Sequence, residues 1–444
     1  MEFFSFDCHR IYDKVFAIHQ ENLRETKMSN QENSFDVVIV GGGSAGISTA
    51  ASLLKRRYWL KIAVIEPKEE HYYQPGWTMV GAGVFVMDET IRSQESVMPK
   101  GVTWFKDAVS TFDPDNNSIA LVSGGSVHYK SLVVAPGLKL NLDAVEGLAE
   151  TLGKNGVTTN YMKETAPYTW DCVENFKGGK AIFTQPPLPF KCAGAPQKAM
   201  YLSCDEWDKK GVLANTDVEF CSAGPALFGV ADYIPPLMEY VEKYGATVSF
   251  GKNLVAVDGE KKVATFVVTD ADGNQSRVEE KFDMLHVCPP QCSLDFVANS
   301  PLAAETGFLA VDINTLQSTK YPNVFGAGDV VATLNAKTAA AARKQTVVVA
   351  ENLLAQVDGN ELTSLYLGYG SCPLTVSKSK IILAEFGYGG KLMPTFPNWI
   401  NNGLKATRLA WVLKADILPW VYWNLMLKGG EWFAGSTKKE QDHH

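Results

Sequence analysis

The chain has 444 residues, 46% of them hydrophobic and 20% charged, with a net charge of -8. That length supports two or three domains with buried cores, and an acidic balance without a basic run argues against nucleic acid as a partner. Eight cysteines at irregular positions, none in zinc spacing, point to mostly reduced thiols of an intracellular compartment and to no metal site.

The first 34 residues are polar and mixed in charge. They lack the apolar core and cleavage site of a secretory signal, are too acidic for an organelle transit peptide, and read as a loosely packed extension. Residues 35–66, FDVVIVGGGSAGISTAASLLKRRYWLKIAVIE, follow as one β-α-β unit. A buried strand from Asp36 to Val40 turns through Gly41, Gly43 and Gly46 into a helix, and a second strand closes on Glu66. Gly41 permits the tight turn, Gly43 lets backbone approach a pyrophosphate, and Gly46 brings helix against strand. Ser44 and Ala45 lie inside that turn, and Glu66 stands where a carboxylate accepts from ribose hydroxyls. The phosphates then sit on a helix N-terminus.

The expected fold is α/β, with two Rossmann-like domains and a C-terminal amphipathic membrane-binding segment. A nucleotide domain is expected over 35–160 and again over 300–365, with a second α/β domain over 161–299 between them. In that second domain VEFCSAGPALFGVADY stands where another glycine fingerprint belongs, with Cys221, Ala223 and Ala226 in place of glycines. Side chains there crowd a pyrophosphate, and the strand that should end in a ribose-binding acid ends at Phe250 and Gly251. One nucleotide is expected to bind and the pyridine nucleotide to be absent.

Residues 366–444 are expected to form an active-site and membrane-interface region. Cys192, in QPPLPFKCAGAPQK, and Cys372, in LGYGSCPLTVSKSK, sit on loops among Gly, Pro and Lys, where Lys191 would favour a thiolate. Spacing alone leaves open that they are two unrelated free thiols. Cys288 and Cys292 have no second pair or histidine cluster beside them and read as structural, as do Cys8, Cys172, Cys204 and Cys221. From Phe396 to Phe433 five tryptophans stand among apolar residues interrupted by Lys414, Asp416 and Pro419. Two short interfacial helices fit that text better than a spanning one, with Lys405, Arg408, Lys414 and Lys428 near lipid headgroups. A buried hairpin or a dimer contact is the alternative.

KCAGAPQKAMYLS, YPNVFGAGD, AKTAAAA, GYGSCPLT and HYYQPGWTMVGAG closely resemble the mitochondrial type of sulfide:quinone oxidoreductase, over residues 35 to about 433. The resemblance implies an FAD enzyme of the two-dinucleotide-binding flavoprotein superfamily. It implies oxidation of hydrogen sulfide to sulfane sulfur, reduction of ubiquinone, and a peripheral place on the mitochondrial inner membrane. It makes Cys192 and Cys372 a redox pair on one face of the flavin. Sulfide opens their disulfide, Cys372 keeps the persulfide, the Cys192 thiolate adds to the flavin, and glutathione, sulfite or cyanide takes the outer sulfur. It places Asp329 on the ribityl chain, Gln74 and Val109 against FAD, and Lys337 with Thr338 beside the negative charge of the reduced ring. Oligomeric state stays open. A single-subunit NADH:quinone oxidoreductase and a non-enzymatic flavin-binding redox sensor are the rival functions.

Overall fold

The computed structural model describes residues 33–439. The extension expected over 1–34 lies almost entirely outside them, with Cys8. The run Val37–Val40 is β-branched throughout and at most 2% exposed, as expected of a central strand covered on both faces. It belongs to β1 (Ser34–Val40), which leads into helix α1 (Ser44–Arg56) and then β2 (Ile62–Ile65). The first sheet also takes β3 (Val102–Phe105), β4 (Val109–Asp113), β5 (Ser118–Leu121) and the long β6 (Ser126–Val134), in the order β3-β2-β1-β6-β5-β4. Parallel pairing joins β3, β2, β1 and β6, whereas β5 and β4 extend the sheet antiparallel.

The second sheet is parallel, and its register starts earlier than expected: β7 (Val157–Thr158) already belongs to it, so the boundary set at 160/161 falls a few residues sooner. Its other strands are β8 (Gly179–Gln185), β9 (Thr216–Ser222), β10 (Thr247–Phe250) and β11 (Met284–His286), in the order β7-β11-β8-β9-β10. Helix α2 (Ala195–Lys209) follows β8, and helix α3 (Ile234–Lys243) follows β9. Between β9 and α3, residues 223–230 form no helix. The Cys221 side chain is wholly buried in a cluster with Ile182, Leu254 and Phe266. A thiol packed there is sheet core.

The chain then returns to the first sheet. Strand β12 (Val324–Gly326) pairs in parallel with Leu132–Val134, the far half of β6. Helix α4 (Ala339–Val357) follows after a connecting segment and packs on α1. Strands β13 (Gly370–Ser377) and β14 (Lys380–Phe386) make a hairpin that packs against α2.

The C-terminal text forms one interrupted helical run: α5 (Arg408–Val412), a π-helical turn at Leu413–Ile417, and α6 (Leu418–Asn424). Pro419 is tolerated because it falls in the first turn of α6, where its missing N–H has no partner to lose. Leu409, Val412, Ile417 and Trp420 are exposed along this run, beside Trp399, Trp432 and Phe433. No helix among the described residues is long and apolar enough to cross a membrane.

Candidate active site

The glycine turn is built for close approach. Gly41 has φ +99°, and a Cβ there would lie 2.5 Å from the Ala135 carbonyl oxygen. At Gly46 a Cβ would stand 1.9 Å from the Gly41 carbonyl oxygen, whereas at Gly43 it would meet nothing within 4 Å. Gly46 thus permits the packing of α1 on β1, and Gly43 leaves room for a ligand. A carboxylate oxygen of Glu66 accepts from the Gly42 N–H at 2.8 Å and the other from the Lys68 N–H at 2.9 Å, which fixes the acid at the end of β2. Gly46→Ala forces either α1 or the turn to move, at a cost on the order of 3 kcal/mol. The expected result is a purified variant without bound flavin and with a lowered denaturation midpoint. Wild-type flavin content would contradict it.

Two adjoining cavities run from that turn. One, of about 510 Å³, is lined by Gly41, Gly43, Ser44, Glu66, Gln74 and Val109. The other, of about 410 Å³, is lined by Gly43, Ala45, Gln74, Asp329, Lys337, Thr338 and Cys192. Their common walls, Gly43, Ser44, Gln74, Pro136 and Tyr161 among them, make them one elongated groove. Trp77 Nε1, Thr78 Oγ1 and Asn160 Oδ1 are buried in its walls without hydrogen-bond partners among the described residues. An elongated groove with a glycine cradle, a fixed acid and unspent polar atoms fits a dinucleotide such as FAD. Thr338 caps α4, its hydroxyl accepting from the Ala341 N–H at 3.1 Å. Lys337 is buried, and its Nζ donates to the carbonyls of Asp329 at 2.7 Å and Val331 at 2.8 Å. Burial pulls the Lys337 ammonium down to about 8 and holds the Asp329 carboxyl above its usual range, each opposed by the other's charge.

At the groove's inner end the two cysteines meet, with sulfurs 3.9 Å apart and both thiols free. Cys372 is buried in β13, facing Ala384 of β14. Cys192 holds a positive φ of 52° on the loop before α2, and its N–H donates to the Lys337 carbonyl at 2.8 Å. That bond ties the thiol loop to the segment that opens α4. Gly194 allows the loop to close, since a Cβ there would stand 2.6 Å from the Cys372 sulfur.

The cation expected from sequence at Lys191 is supplied by another residue. Lys191 Nζ donates to Gln74 Oε1, and Lys198, in the first turns of α2, places Nζ 3.1 Å from the Cys192 sulfur. A hydrogen bond with Cys372 and then the Lys198 charge hold the Cys192 thiol well below its ordinary range. The same hydrogen bond and burial push Cys372 well above it. A negative charge on the pair is therefore favoured at Cys192 over Cys372. Lys198 could have been found by starting a helix at Ala195-Pro196 and looking one turn on.

Lys414 corrects a second expectation. It does not face headgroups but is 4% exposed, lines the groove, and donates to the Pro75 carbonyl at 3.3 Å. Burial and the Lys198 charge lower it to about 7. Lys405, Arg408 and Lys428 are exposed.

Sequence also missed a lock between α6 and the glycine turn. The Tyr422 hydroxyl is 2.7 Å from Ser44 Oγ and 2.6 Å from His71 Nε2. His71 Nδ1 lies 3.1 Å from the Gly42 carbonyl, which can only accept. Nδ1 therefore carries the proton, and Nε2 accepts from Tyr422. Burial lowers His71 to about 4, so the ring is neutral.

A nucleotide groove with a close cysteine pair at its wall defines a flavin-type dithiol oxidoreductase. In agreement, residues 35–166 match the family described as pyridine nucleotide-disulphide oxidoreductase. The mitochondrial sulfide:quinone oxidoreductase of Dictyostelium discoideum is 40% identical, covering 93% of this chain and 90% of that protein. Its counterpart from Mus musculus is 37% identical, covering 90% and 87%. The chain belongs to the mitochondrial sulfide:quinone oxidoreductase family. The solved sulfide:quinone oxidoreductase of Aquifex aeolicus shares the fold, with a TM-score of 0.73 at 20% identity over 89% of this chain and 91% of that one.

Proposed function

We propose that this chain oxidises hydrogen sulfide and reduces a quinone, with Cys192 and Cys372 as the sulfur-handling pair. It is an FAD-dependent oxidoreductase of the mitochondrion. The observation that carries the reading is the 3.9 Å approach of the two sulfurs at the inner end of the groove. Their bonded form offers sulfide an electrophilic sulfur. Hydrosulfide attacks Cys372, the bridge breaks, and a persulfide forms there while Cys192 leaves as a thiolate. Lys198 stabilises that leaving sulfur. The outer sulfur of Cys372 then passes to a small nucleophile such as glutathione, sulfite or cyanide, which leaves two reduced cysteines. FAD, when bound, supplies the two-electron oxidation that restores their bridge and delivers those electrons to quinone.

Gly41, Gly43, Ser44, Ala45, Gly46 and Glu66 would hold the phosphates and ribose, with Asp329, Lys337 and Thr338 at the ring end and Gln74 and Val109 along the groove. The decisive test is the visible spectrum of purified protein. Anaerobic sulfide is expected to bleach the flavin and a short-chain ubiquinone to restore it. A spectrum unmoved by sulfide but bleached by NADH would replace this reading with the NADH dehydrogenase one.

Quinone dissolves in lipid, and residues 396–433 supply the contact. Leu409, Val412, Ile417 and Trp420 form an exposed apolar stripe flanked by Lys405 and Arg408. Such a helix lies in the interface plane with its apolar face in the acyl boundary. Trp420→Lys with Leu409→Lys is expected to release the protein from vesicles containing anionic lipid while sulfide still bleaches the flavin. Undiminished co-flotation of the double variant would move the contact elsewhere.

A further inference from the structure

The cavity that Cys192 lines is also walled by the first turns of α4, as far as Arg343. Its Nε and Nη2 are sealed from solvent and have no hydrogen-bond partner among the described residues. A guanidinium does not lose its proton, so burying donors unpaired is costly unless a ligand completes them. The nearby carboxylate is already engaged. Glu385 is 5% exposed, and it accepts from the Tyr369 hydroxyl at 2.6 Å and the Thr395 N–H at 3.0 Å. Lys344, also lining the groove, lies 5.3 Å over the Tyr369 ring. Arg343 thus shares a cavity wall with a second cation, Lys344, and with a carboxylate, Glu385, whose oxygens are already engaged.

The cavity's other end is apolar. Phe396 lines it, and the Phe396 ring lies 6.4 Å from Phe433. Phe433 and Trp432 also line it, and they are 53% and 55% exposed on the outer surface. A path from exposed aromatic rings to a buried, unpaired cation suits a ligand with an apolar body and an oxygen that becomes negative. We propose that Arg343 binds a carbonyl oxygen of the quinone head and stabilises the negative charge that reduction places on it.

This rests on the quinone reading above. In the step, the quinone takes two electrons from the reduced enzyme and two protons from solvent. Arg343 contributes hydrogen bonds alone and keeps its protons. Losing a charged hydrogen bond to a developing oxyanion lowers a rate about ten- to a hundredfold.

The experiment separates the half-reactions by stopped flow in full-length Arg343→Met and Arg343→Lys, with a short-chain ubiquinone. Sulfide bleaching is expected to stay within about twofold of wild type, whereas reoxidation by quinone falls about ten- to a hundredfold in the Met variant and partly recovers in the Lys variant. Quinone binding to the oxidised protein, followed by tryptophan fluorescence, is expected to weaken in the same order. Unchanged reoxidation overturns the proposal, as does a fall in both half-reactions accompanied by flavin loss, which would assign Arg343 to the cofactor. Failure of sulfide to bleach the wild type would instead defeat the function itself.

Discussion

Cys192→Ser and Cys372→Ser each yield a protein that retains flavin but that sulfide no longer bleaches, with a loss of more than about a thousandfold in turnover. Neither side chain belongs to the glycine cradle. Gly41 and Glu66 line the adjoining cavity, which Cys192 does not reach, so cofactor content is expected to stay at the wild-type ratio. The two losses have different causes. Without Cys372 no sulfur receives hydrosulfide, and without Cys192 the bridge that makes Cys372 electrophilic cannot form. A serine variant that turns over at the wild-type rate would remove that residue from the chemistry, and a flavin-free variant would show a structural role instead.

Replacing Lys198 by Met keeps the length of the side chain and removes the cation 3.1 Å from the Cys192 sulfur. Cys372 remains to hydrogen-bond the thiolate, so the depressed titration of Cys192 is raised but not abolished. The sign follows. A thiol with a lowered pKa is a thiolate at neutral pH and loses that form only on acidification, so raising the pKa moves the loss toward neutrality. The expected outcome is a fall in turnover of about tenfold or more near neutral pH, recovered as pH rises, because a buried partner charge shifts a thiol by one to three pH units at most. Two measurements check it: the pH profile of sulfide-driven flavin bleaching, and ultraviolet titration of the thiolate in the reduced protein. A loss that is the same at every pH would make Lys198 a packing residue. Lys414, lowered to about 7 by burial and by Lys198, is the nearby cation whose charge Lys198→Met is expected to restore.

Local spacing made the nucleotide half legible. The continuous apolar run of β1, the three glycines at fixed offsets and the acid that closes β2 all act within one β-α-β unit, so their roles follow from sequence distance. The lost fingerprint was legible for the same reason. Cys221 carries a side chain where the fingerprint has a glycine, and the structure packs it into the core of the second sheet. The C-terminal segment was half legible. Its tryptophans and apolar residues announced an interfacial helix, but period alone does not say which face is outward at a π-helical turn. Lys414 lies in that turn and points inward.

By itself, then, the chain's order of residues determined the nucleotide fold, the loss of the glycine pattern in the second domain and the apolar character of the last segment, because each is written in contiguous residues. Tertiary structure alone decided which charges serve the sulfurs. Lys191, adjacent to Cys192, is drawn away to Gln74, while Lys198 reaches back from α2 and Lys414 arrives from a helix far along the chain. It also joined Cys192 to Cys372 across a sequence separation of 180 residues, and left Arg343 Nε and Nη2 without a hydrogen-bond partner among the described residues. Charges act through space at a few ångströms, and the chain carries no local signal of which distant side chain will be brought within that range.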